Sequence, residues 1–311
     1  MNAPTTRFAP SPTGRLHLGH AVSARHGFEA ARREGGRFLL RIEDIDCTRC
    51  RREHEEGILD DLRFLGLSWD APVRRQSEHL DDYERAVERL REMELLYPCF
   101  CTRADVAAEI GRAACAPHDL PAPGPVEGPC GPRYPGTCRR MPREEAERRV
   151  ASGTGYALRL DVARAARLAE QRNGGPLFWH DRRAGKVEAA PRTLGDVVLA
   201  RKETPTSYHL AVSVDDHLQG VTLVTRGTDL FHATHVHRLL QALLGLDTPE
   251  YDHHPLVLDD RGERLAKRRH APTIRSLREE GRTAADVWGM VGWPPIGPGQ
   301  EKPPMDTDGH R

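Results

Sequence analysis

The first part of the chain alternates between segments that suit a buried strand and a segment that suits a helix. A short apolar stretch within residues 7–13, RFAPSPT, runs into prolines that cannot continue a helix. Apolar residues then recur at helical spacing from about Gly14 to Gly35, and residues 37–42, RFLLRI, have the composition of a buried strand. Strand, loop, helix and strand in this order are typical of a nucleotide-binding parallel sheet, so we predict an α/β fold.

The rest of the chain is less regular, with a stretch dense in Pro, Gly and Cys near its middle. Residues 115–142 have too few periodic apolar residues to build a core unaided, which indicates an inserted element held by some other means. Elsewhere, the pattern predicts helices over about 48–65, after Ser77 and over 275–290, and strands over 156–162, 207–216 and 220–227.

The composition is that of a globular chain with a hydrated surface. Hydrophobic residues make up 38% and charged residues 30% of the 311 residues. No run of about 18 apolar residues is present and the start, MNAPTTRFAP, lacks the apolar stretch of a signal peptide, so we expect a cytoplasmic protein with no membrane partner. We also expect it to be a monomer. Because 46 basic residues balance 46 acidic ones, any contact with RNA must rest on a local patch.

The first motif of chemical interest is His17-Leu18-Gly19-His20, at the predicted turn from strand to helix. Backbone N–H groups and the helix dipole face a bound phosphate at such a turn. Both histidines can point at a triphosphate and stabilise the charge that develops at its α-phosphate as pyrophosphate leaves. The alternative is an ordinary helix start with a solvated His17 and a packed His20.

The string RFAPSPTGRLHLGH, followed by RFLLRIEDID and SYHLAVSVDDHLQGVTLVTRGTDL, resembles the catalytic domain of the glutamyl-tRNA synthetase family. The resemblance covers about residues 7–280 and implies a class I synthetase fold, with a Rossmann-like parallel sheet, an inserted zinc-bearing acceptor-binding element and a short helical C-terminal part. Only about 40 residues follow Arg268, too few for an anticodon-binding domain, so the resemblance is to the short paralogues of this family.

The family's second signature corresponds to residues 264–268, RLAKR. There the resemblance implies that Lys267 supplies an ammonium to the ATP phosphates, a point charge that needs no fixed orientation. Arg264 stands in place of the usual first lysine and keeps the charge, whereas Ala266 replaces a serine and loses a hydroxyl. The resemblance therefore implies three catalytic residues, His17, His20 and Lys267, and an ATP site formed by His17, Gly19, His20, Arg264 and Lys267.

The resemblance also implies the reaction. An AMP-forming ligase of this kind activates L-glutamate with ATP, with Mg²⁺ on the nucleotide, and needs no tRNA for that step. It then transfers glutamate to the queuosine base at the wobble position of tRNA(Asp). The alternatives are a glutamyl-tRNA synthetase fragment that aminoacylates a tRNA end, and a non-catalytic glutamate- or RNA-binding paralogue, which the altered Arg264 and Ala266 suggest.

Glutamate carries two carboxylates and one ammonium, so its pocket needs cationic forks and an anion. The family match places Glu43 near the ammonium and takes Tyr208 and Arg226 from later strand–loop segments. For the arginines the alternative is a surface salt bridge, and for the tyrosine a core aromatic residue. The glutamate-binding residues that the resemblance implies are Arg7, Ala9, Pro10, Ser11, Glu43, Tyr208 and Arg226.

The chain has seven cysteines, an odd number that argues against a disulfide framework. The short paralogues carry Cys-x-Cys followed by Tyr-x-x-x-Cys, which Cys99, Cys101, Tyr134 and Cys138 match, and this implies one structural Zn²⁺. Cys130 competes for the fourth ligand position and Cys115 does so more weakly, while the alternative is a set of free thiols. We interpret Cys47 and Cys50 as solvated thiols, and His232, His235 and His237 as exposed or packed side chains on a helix.

Five segments result from these predictions. Residues 1–98 form the first half of the catalytic domain, 99–190 the zinc-containing acceptor-binding insertion, 191–245 the second half, 246–290 the loop of the second signature with a helical segment, and 291–311 a disordered tail.

Overall fold

The computed structural model describes residues 3–102, 104–107, 127–129, 131–201, 204–257 and 272–297. Within these ranges no helix has both the length and the apolar character needed to span a membrane. The helices used below are α1 (Leu18–Arg33), α2 (Arg52–Phe64), α3 (Leu80–Glu92), α4 (Arg143–Ala151), α5 (Val162–Asn173), α6 (Tyr208–Leu218), α7 (Ala233–Leu244), α8 (Ile274–Glu279) and α9 (Ala284–Gly289).

The strands are β1 (Thr5–Phe8), β2 (Arg37–Ile42), β3 (Arg74–Arg75), β4 (Leu96–Cys99), β5 (Glu127–Gly128), β6 (Gly131–Pro132), β7 (Ala157–Leu160), β8 (Phe178–Asp181), β9 (Gly185–Glu188), β10 (Val198–Arg201), β11 (Leu223–Gly227) and β12 (Glu250–His254). The predicted first unit is present, because β1 and β2 pair in parallel and α1 connects them. A crossover between parallel strands is right-handed in nearly all known proteins, and it covers one face of the sheet with the helix.

The parallel sheet is built from two sets of strands that meet at β1. One set has the order β1–β2–β3 and the other β11–β12–β8–β9, with only β9 antiparallel. The N–H of Thr222 donates to the carbonyl of Thr5 over 2.9 Å, so β11 lies beside β1. The α/β fold with a parallel sheet is confirmed, and the carboxyl ends of β1, β2 and β11 meet at one edge.

Helix α1 packs tightly against this sheet. Phe28 on the helix and Phe38 on β2 are fully buried and meet edge to face at 5.6 Å, and burying each such ring stabilises the fold by about 1.5–3 kcal/mol. Next to Phe28, a Cβ atom at Gly27 would lie 2.9 Å from Oγ1 of Thr225 on β11. The absence of a side chain at Gly27 therefore sets how closely α1 approaches the sheet.

Two of the predicted elements are wrong in type or extent. Residues 207–216 were predicted to be a strand, but α6 spans Tyr208–Leu218. Every residue from Leu210 to Asp216 is buried, and a segment that is buried on all sides has no exposed polar face to distinguish a helix from a strand. The helix predicted over 275–290 is two helices, α8 and α9, because Gly281 between them has a φ of +80° that a helix cannot continue through.

A small antiparallel sheet of β10, β7 and β4 lies beside the parallel sheet. Strand pairing crosses two predicted boundaries. Strand β8 lies in the segment predicted as an insertion but pairs with β12 of the parallel sheet. Strand β10 lies in the predicted second catalytic half but pairs with β7 of the predicted insertion. The five predicted segments stay a prediction. The second signature at 264–268 and the end of the predicted tail lie outside the described residues.

Candidate active site

A cleft of about 430 Å³ opens at the carboxyl ends of β1, β2 and β11, beside the N-terminus of α1. All the described residues that were predicted to bind glutamate or ATP line it, although they come from four separate parts of the chain. They are Arg7, Ala9, Pro10, Ser11, His17, Gly19, His20, Glu43, Tyr208 and Arg226. Arg264 and Lys267 lie outside the described residues, and the role of each site residue stays a prediction.

The two histidines of the first motif cap α1. His17 has an extended backbone and its Nδ1 accepts the N–H of Gly19 over 3.1 Å, while the N–H of His17 donates to Nδ1 of His20 over 3.3 Å. Burial lowers the pKa of His17, and burial together with the His17 charge lowers the pKa of His20 to about 3. Both rings are therefore neutral near pH 7, and with Nδ1 used as an acceptor each carries its proton on Nε2.

The stacked rings of these histidines, 3.7 Å apart, place two N–H donors at a helix N-terminus in the cleft. Donors at such a position attract anions because the helix dipole adds to their partial charge. A phosphate chain is the ligand that this end of the cleft suits.

The Arg7 side of the cleft is a network of buried charges. Nε of Arg7 donates to Oδ1 of Asp216 over 3.0 Å, and the same carboxylate accepts from Nη1 of Arg41 over 2.8 Å. Nη2 of Arg41 donates in turn to Oε1 of Glu43 over 3.2 Å. The two arginines and two carboxylates hold one another in place with little exposed surface.

The pKa values of the two carboxyl groups of this network shift in opposite directions. Burial raises the pKa of Asp216, but the charges of Arg7 and Arg41 outweigh burial and hold it below its ordinary value of 3.8. For Glu43 burial prevails over the same arginines, and its pKa lies above the ordinary 4.5. A further positive charge nearby would stabilise the ionised form of this buried carboxyl group, so Glu43 suits an ammonium group in the cleft.

The Arg226 side of the cleft contains a buried guanidinium whose hydrogen bonds, within the described part of the chain, all go to neutral side chains. Nε of Arg226 donates to Nε2 of His253 over 3.1 Å, and its Nη1 lies 3.2 Å from Nδ1 of His237 and donates to the hydroxyl of Tyr208 over 3.4 Å. Its Nη2 donates to the hydroxyl of Thr234.

Three imidazoles around Arg226 are neutral. Burial, followed by the Arg226 charge, lowers the pKa of His209 and of His253 to about 4 and that of His237 well below 6.5. A buried cation without an ion pair favours an incoming anion, because that anion supplies the missing charge balance.

The predicted zinc ligands also lie together, at the end of β4 in the small antiparallel sheet, where Cys99 is the last residue of the strand. The Sγ atoms of Cys99, Cys101 and Cys138 all lie within 4.8 Å of one another. The hydroxyl of Tyr134 lies 3.4 Å from Sγ of Cys99 and 3.7 Å from Sγ of Cys101. Zinc–sulfur bonds of 2.3 Å in a tetrahedron separate two sulfurs by about 3.8 Å, so this donor set fits Zn²⁺. The competitors Cys115 and Cys130 lie outside the described residues.

The nearest described residues before and after the second signature lie at the cleft or beside it. Val257 lines the cleft, and the described chain resumes where Thr273 forms an antiparallel bridge with His17. The N–H of Ile274 donates to the carbonyl of Leu16 over 2.9 Å, so this bridge attaches α8 to the segment that leads into the first motif.

Several residues of the cleft and its support were not predicted. Arg41 and Asp216 orient the predicted residues, and His253 and His237 surround Arg226. Asp216 follows Tyr208 by eight positions, which is two helical turns, so a helical interpretation of residues 207–216 is the signal that would have placed both on one face. Other cleft residues that were not predicted are Thr225, Gly227, Asp229, Leu230, His254, Leu256 and Val257.

Comparisons with known proteins agree on the family. The sequence model of the catalytic domain of class I tRNA synthetases (E and Q) matches residues 4–292. The chain is 48% identical over 287 residues to a glutamyl-Q tRNA(Asp) synthetase of Rhodobacter capsulatus, with 92% of this chain and 99% of that one covered. It is 42% identical over 307 residues to a protein of the same name from Nocardia farcinica, with 96% and 89% covered.

Solved structures show the same fold. A glutamate tRNA ligase from Elizabethkingia meningosepticum, crystallised in complex with its amino acid, superposes with a TM-score of 0.72 at 27% identity, covering 97% of this chain and 62% of the other. A methionyl-tRNA synthetase of Mycobacterium tuberculosis, 11% identical with a TM-score of 0.55, shares the fold alone. The chain therefore belongs to the class I tRNA synthetases (E and Q), a family of ligases, and within it to the glutamyl-Q tRNA(Asp) synthetases.

Proposed function

We propose that this chain activates L-glutamate with ATP, without tRNA, and transfers the glutamate to the queuosine base at the wobble position of tRNA(Asp). The observation that carries the activation step is the shared cleft, in which a buried Arg226, which no described acidic side chain pairs with, lies together with a carboxylate and the two histidines at the start of α1. The acceptor is supported by relatives that bear this name and match nearly the whole chain.

In the activation step an α-carboxylate oxygen of glutamate attacks the α-phosphorus of ATP. A new P–O bond forms as the bond to the bridging oxygen breaks, and pyrophosphate leaves with that electron pair. The Nε2–H groups of His17 and His20 donate to the phosphate oxygens as charge develops on them, because both imidazoles are neutral and their other nitrogens are occupied. We assign Arg264 and Lys267 to the same phosphates, with Mg²⁺ on the nucleotide.

Glutamate is recognised at both of its charged ends. Arg226 pairs with the side-chain carboxylate, while Arg7 and Glu43 bind the α-carboxylate and the ammonium. Ala9, Pro10 and Ser11 lie along the substrate, and the hydroxyl of Tyr208 is held by Arg226 at 3.4 Å. Activation needs no RNA in this proposal, because the hydrogen bonds that orient these groups come from the protein's own side chains and backbone.

We assign one structural Zn²⁺ to Cys99, Cys101, Tyr134 and Cys138, which would fix the segment that meets the RNA. Zinc content measured by atomic spectrometry tests this assignment: the wild-type protein holds one zinc per chain, and Cys101→Ser holds much less. Cys47→Ser, which removes an exposed thiol elsewhere, is the matched control and keeps its zinc. Full zinc content in Tyr134→Phe would exclude the tyrosine as a required ligand and leave Cys130, and after it Cys115, as the candidates.

ATP–pyrophosphate exchange is the experiment that tests activation. We expect exchange that depends on glutamate and proceeds without tRNA. Exchange that appears only with tRNA would favour a conventional glutamyl-tRNA synthetase fragment, and no exchange under either condition would favour a non-catalytic binding protein.

The acceptor is tested by transfer of labelled glutamate to tRNA(Asp) with and without queuosine. We expect labelling only of the queuosine-containing tRNA and its loss after periodate treatment, which cleaves the queuosine diol. Because periodate also attacks the terminal ribose, the unmodified tRNA is the necessary control. Labelling of tRNA(Glu) alone would overturn the proposed acceptor.

A further inference from the structure

Beyond the cleft, a row of polar side chains crosses three neighbouring strands and ends at Arg226. Asp181 is the last residue of β8, His253 lies on β12 and Arg226 on β11. Arg226 and His253 are direct partners in the parallel register, so their side chains share one face of the sheet. All three residues are at least nine-tenths buried.

The hydrogen bonds along this row define which nitrogen of His253 carries the proton. Oδ2 of Asp181 lies 2.6 Å from Nδ1 of His253 and can only accept, so Nδ1 holds the proton. Nε2 of His253 is then bare and accepts the N–H of Arg226 Nε over 3.1 Å. In the opposite tautomer two N–H groups would face each other and Arg226 would lose this acceptor.

The ring of His253 is also restrained by its neighbours. It stacks on Tyr251 with ring centroids 5.8 Å apart and meets the edges of Phe231 at 5.0 Å and Trp179 at 5.7 Å. Oδ1 of Asp181 is held in turn by the backbone N–H groups of Arg183 and Ala184 over 2.9 and 2.8 Å. Neither the ring nor the carboxylate can rotate without losing these contacts.

We propose that Asp181 and His253 are positioning residues that set the specificity for glutamate: the carboxylate fixes the tautomer of His253, and the bare Nε2 holds the guanidinium of Arg226 for the side-chain carboxylate of the substrate. The proposal rests on the proposed glutamate activation. His237, whose Nδ1 lies 3.2 Å from Nη1 of Arg226, restrains the same guanidinium from the other side. Because the partners are neutral, they orient Arg226 without cancelling its charge.

Asp181→Asn is the sharpest variant for this proposal. If the amide oxygen keeps the two backbone N–H groups of the turn, the amide NH₂ faces Nδ1 of His253 and the ring must move its proton to Nε2. We expect KM for glutamate in the exchange reaction to rise about tenfold, because one hydrogen bond to a buried charged group is lost, while KM for ATP stays unchanged.

A second pair of variants keeps the test independent of the turn that Asp181 supports. His253→Leu removes the acceptor and should raise KM for glutamate about tenfold as well. His253→Gln should recover most of this loss, because its amide oxygen can accept the same N–H. Asp247→Asn is the matched control, since Asp247 lies 2.9 Å from Nδ1 of His217 on the surface in an equivalent Asp–His pair.

A spectroscopic reading accompanies the kinetics. Long-range ¹H–¹⁵N spectra should show His253 of the wild-type protein protonated at Nδ1, with the pattern reversed in Asp181→Asn. A wild-type His253 protonated at Nε2 would overturn the proposal, and so would variants that lower the melting temperature while KM for glutamate stays unchanged. A wild-type protein without glutamate-dependent exchange would instead refute the proposed function, and the assignment of the row to glutamate with it.

Discussion

Two arginines reach the cleft from neighbouring strands, and their surroundings differ. Arg7 on β1 is paired with a carboxylate, Asp216, which Arg41 also contacts. Arg226 on β11 has imidazoles and hydroxyls around it, and no acidic side chain among the described residues forms an ion pair with it. The charge of Arg7 is already balanced by Asp216, while no acidic side chain in the described ranges balances the charge of Arg226.

This difference indicates that the two arginines have different roles in binding the substrate. A charge balanced inside the protein contributes orientation, whereas an unbalanced buried charge contributes affinity and rejects ligands that lack a matching anion. A glutamine side chain offers no anion to Arg226. We therefore expect Arg226 to separate glutamate from glutamine, and Arg7 to hold a group that both amino acids share.

The largest effect should follow from Arg226→Met, which removes the unbalanced charge and keeps much of the side-chain volume. We expect KM for glutamate in ATP–pyrophosphate exchange to rise about 100-fold, because a charge-assisted pair with the carboxylate is lost. KM for ATP serves as the internal control. A glutamate KM near the wild-type value would mean that the anion-binding charge lies elsewhere in the cleft.

Asp216→Asn should have a smaller effect on glutamate and a clear effect on folding. Both Arg7 and Arg41 lose a buried partner, so we expect the free energy of unfolding to fall by about 3 kcal/mol in urea titrations and KM for glutamate to rise about tenfold.

Asp196→Asn is a matched control for this experiment. Asp196 is buried and accepts hydrogen bonds from Arg139, Tyr97 and the backbone N–H of Val162, and neither Asp196 nor these partners line the cleft. It should lower stability by a similar amount with little change in KM. Equal KM values in the two variants would show that Asp216 does not orient the glutamate site.

As the pH falls, we expect the stability contributed by the buried histidines around Arg226 to be lost before the stability contributed by Asp216 beside Arg7. The pKa values of His209 and His253 fall from 6.5 to about 4 on folding, so the unfolded chain binds more protons between these values and stability is lost as pH falls from about 6.5 towards 4. Each such group contributes a slope of about 1.4 kcal/mol per pH unit. The pKa of Asp216 lies below 3.8, so its contribution is lost only at lower pH.

Urea unfolding at several pH values measures this slope. His237→Gln removes one buried imidazole whose pKa lies well below 6.5 and should reduce the slope by about 1.4 kcal/mol per pH unit. His217→Gln, at a half-exposed surface position, is the control. An unchanged slope in His237→Gln would show that these neutral imidazoles do not account for the acid sensitivity.

The sequence could predict the features that depend on residues close together in the chain, and it could not predict those that depend on residues far apart. The first strand, α1 and β2 were predicted because residues 7–42 carry their own pattern of prolines, glycines and apolar spacing. The partners of Arg7 were not, because Asp216 lies 209 positions away and no local pattern encodes that contact. Tyr208 was assigned to the cleft through the family resemblance but to the wrong element, because burial on all sides of α6 removed the polar face that identifies a helix.

The close approach of α1 to the sheet at Gly27 has a consequence for the reaction itself. The histidines at the start of this helix and Arg226 on β11 lie on two elements that pack against each other at Gly27 and Thr225, where a Cβ atom on Gly27 would lie 2.9 Å from Oγ1 of Thr225. In the proposed function these elements carry the two reactants, nucleotide on one and amino acid on the other. Because Gly27 has no side chain, α1 can lie close to β11, and this closeness limits the distance between the attacking carboxylate oxygen of glutamate and the α-phosphorus of ATP in the proposed reaction.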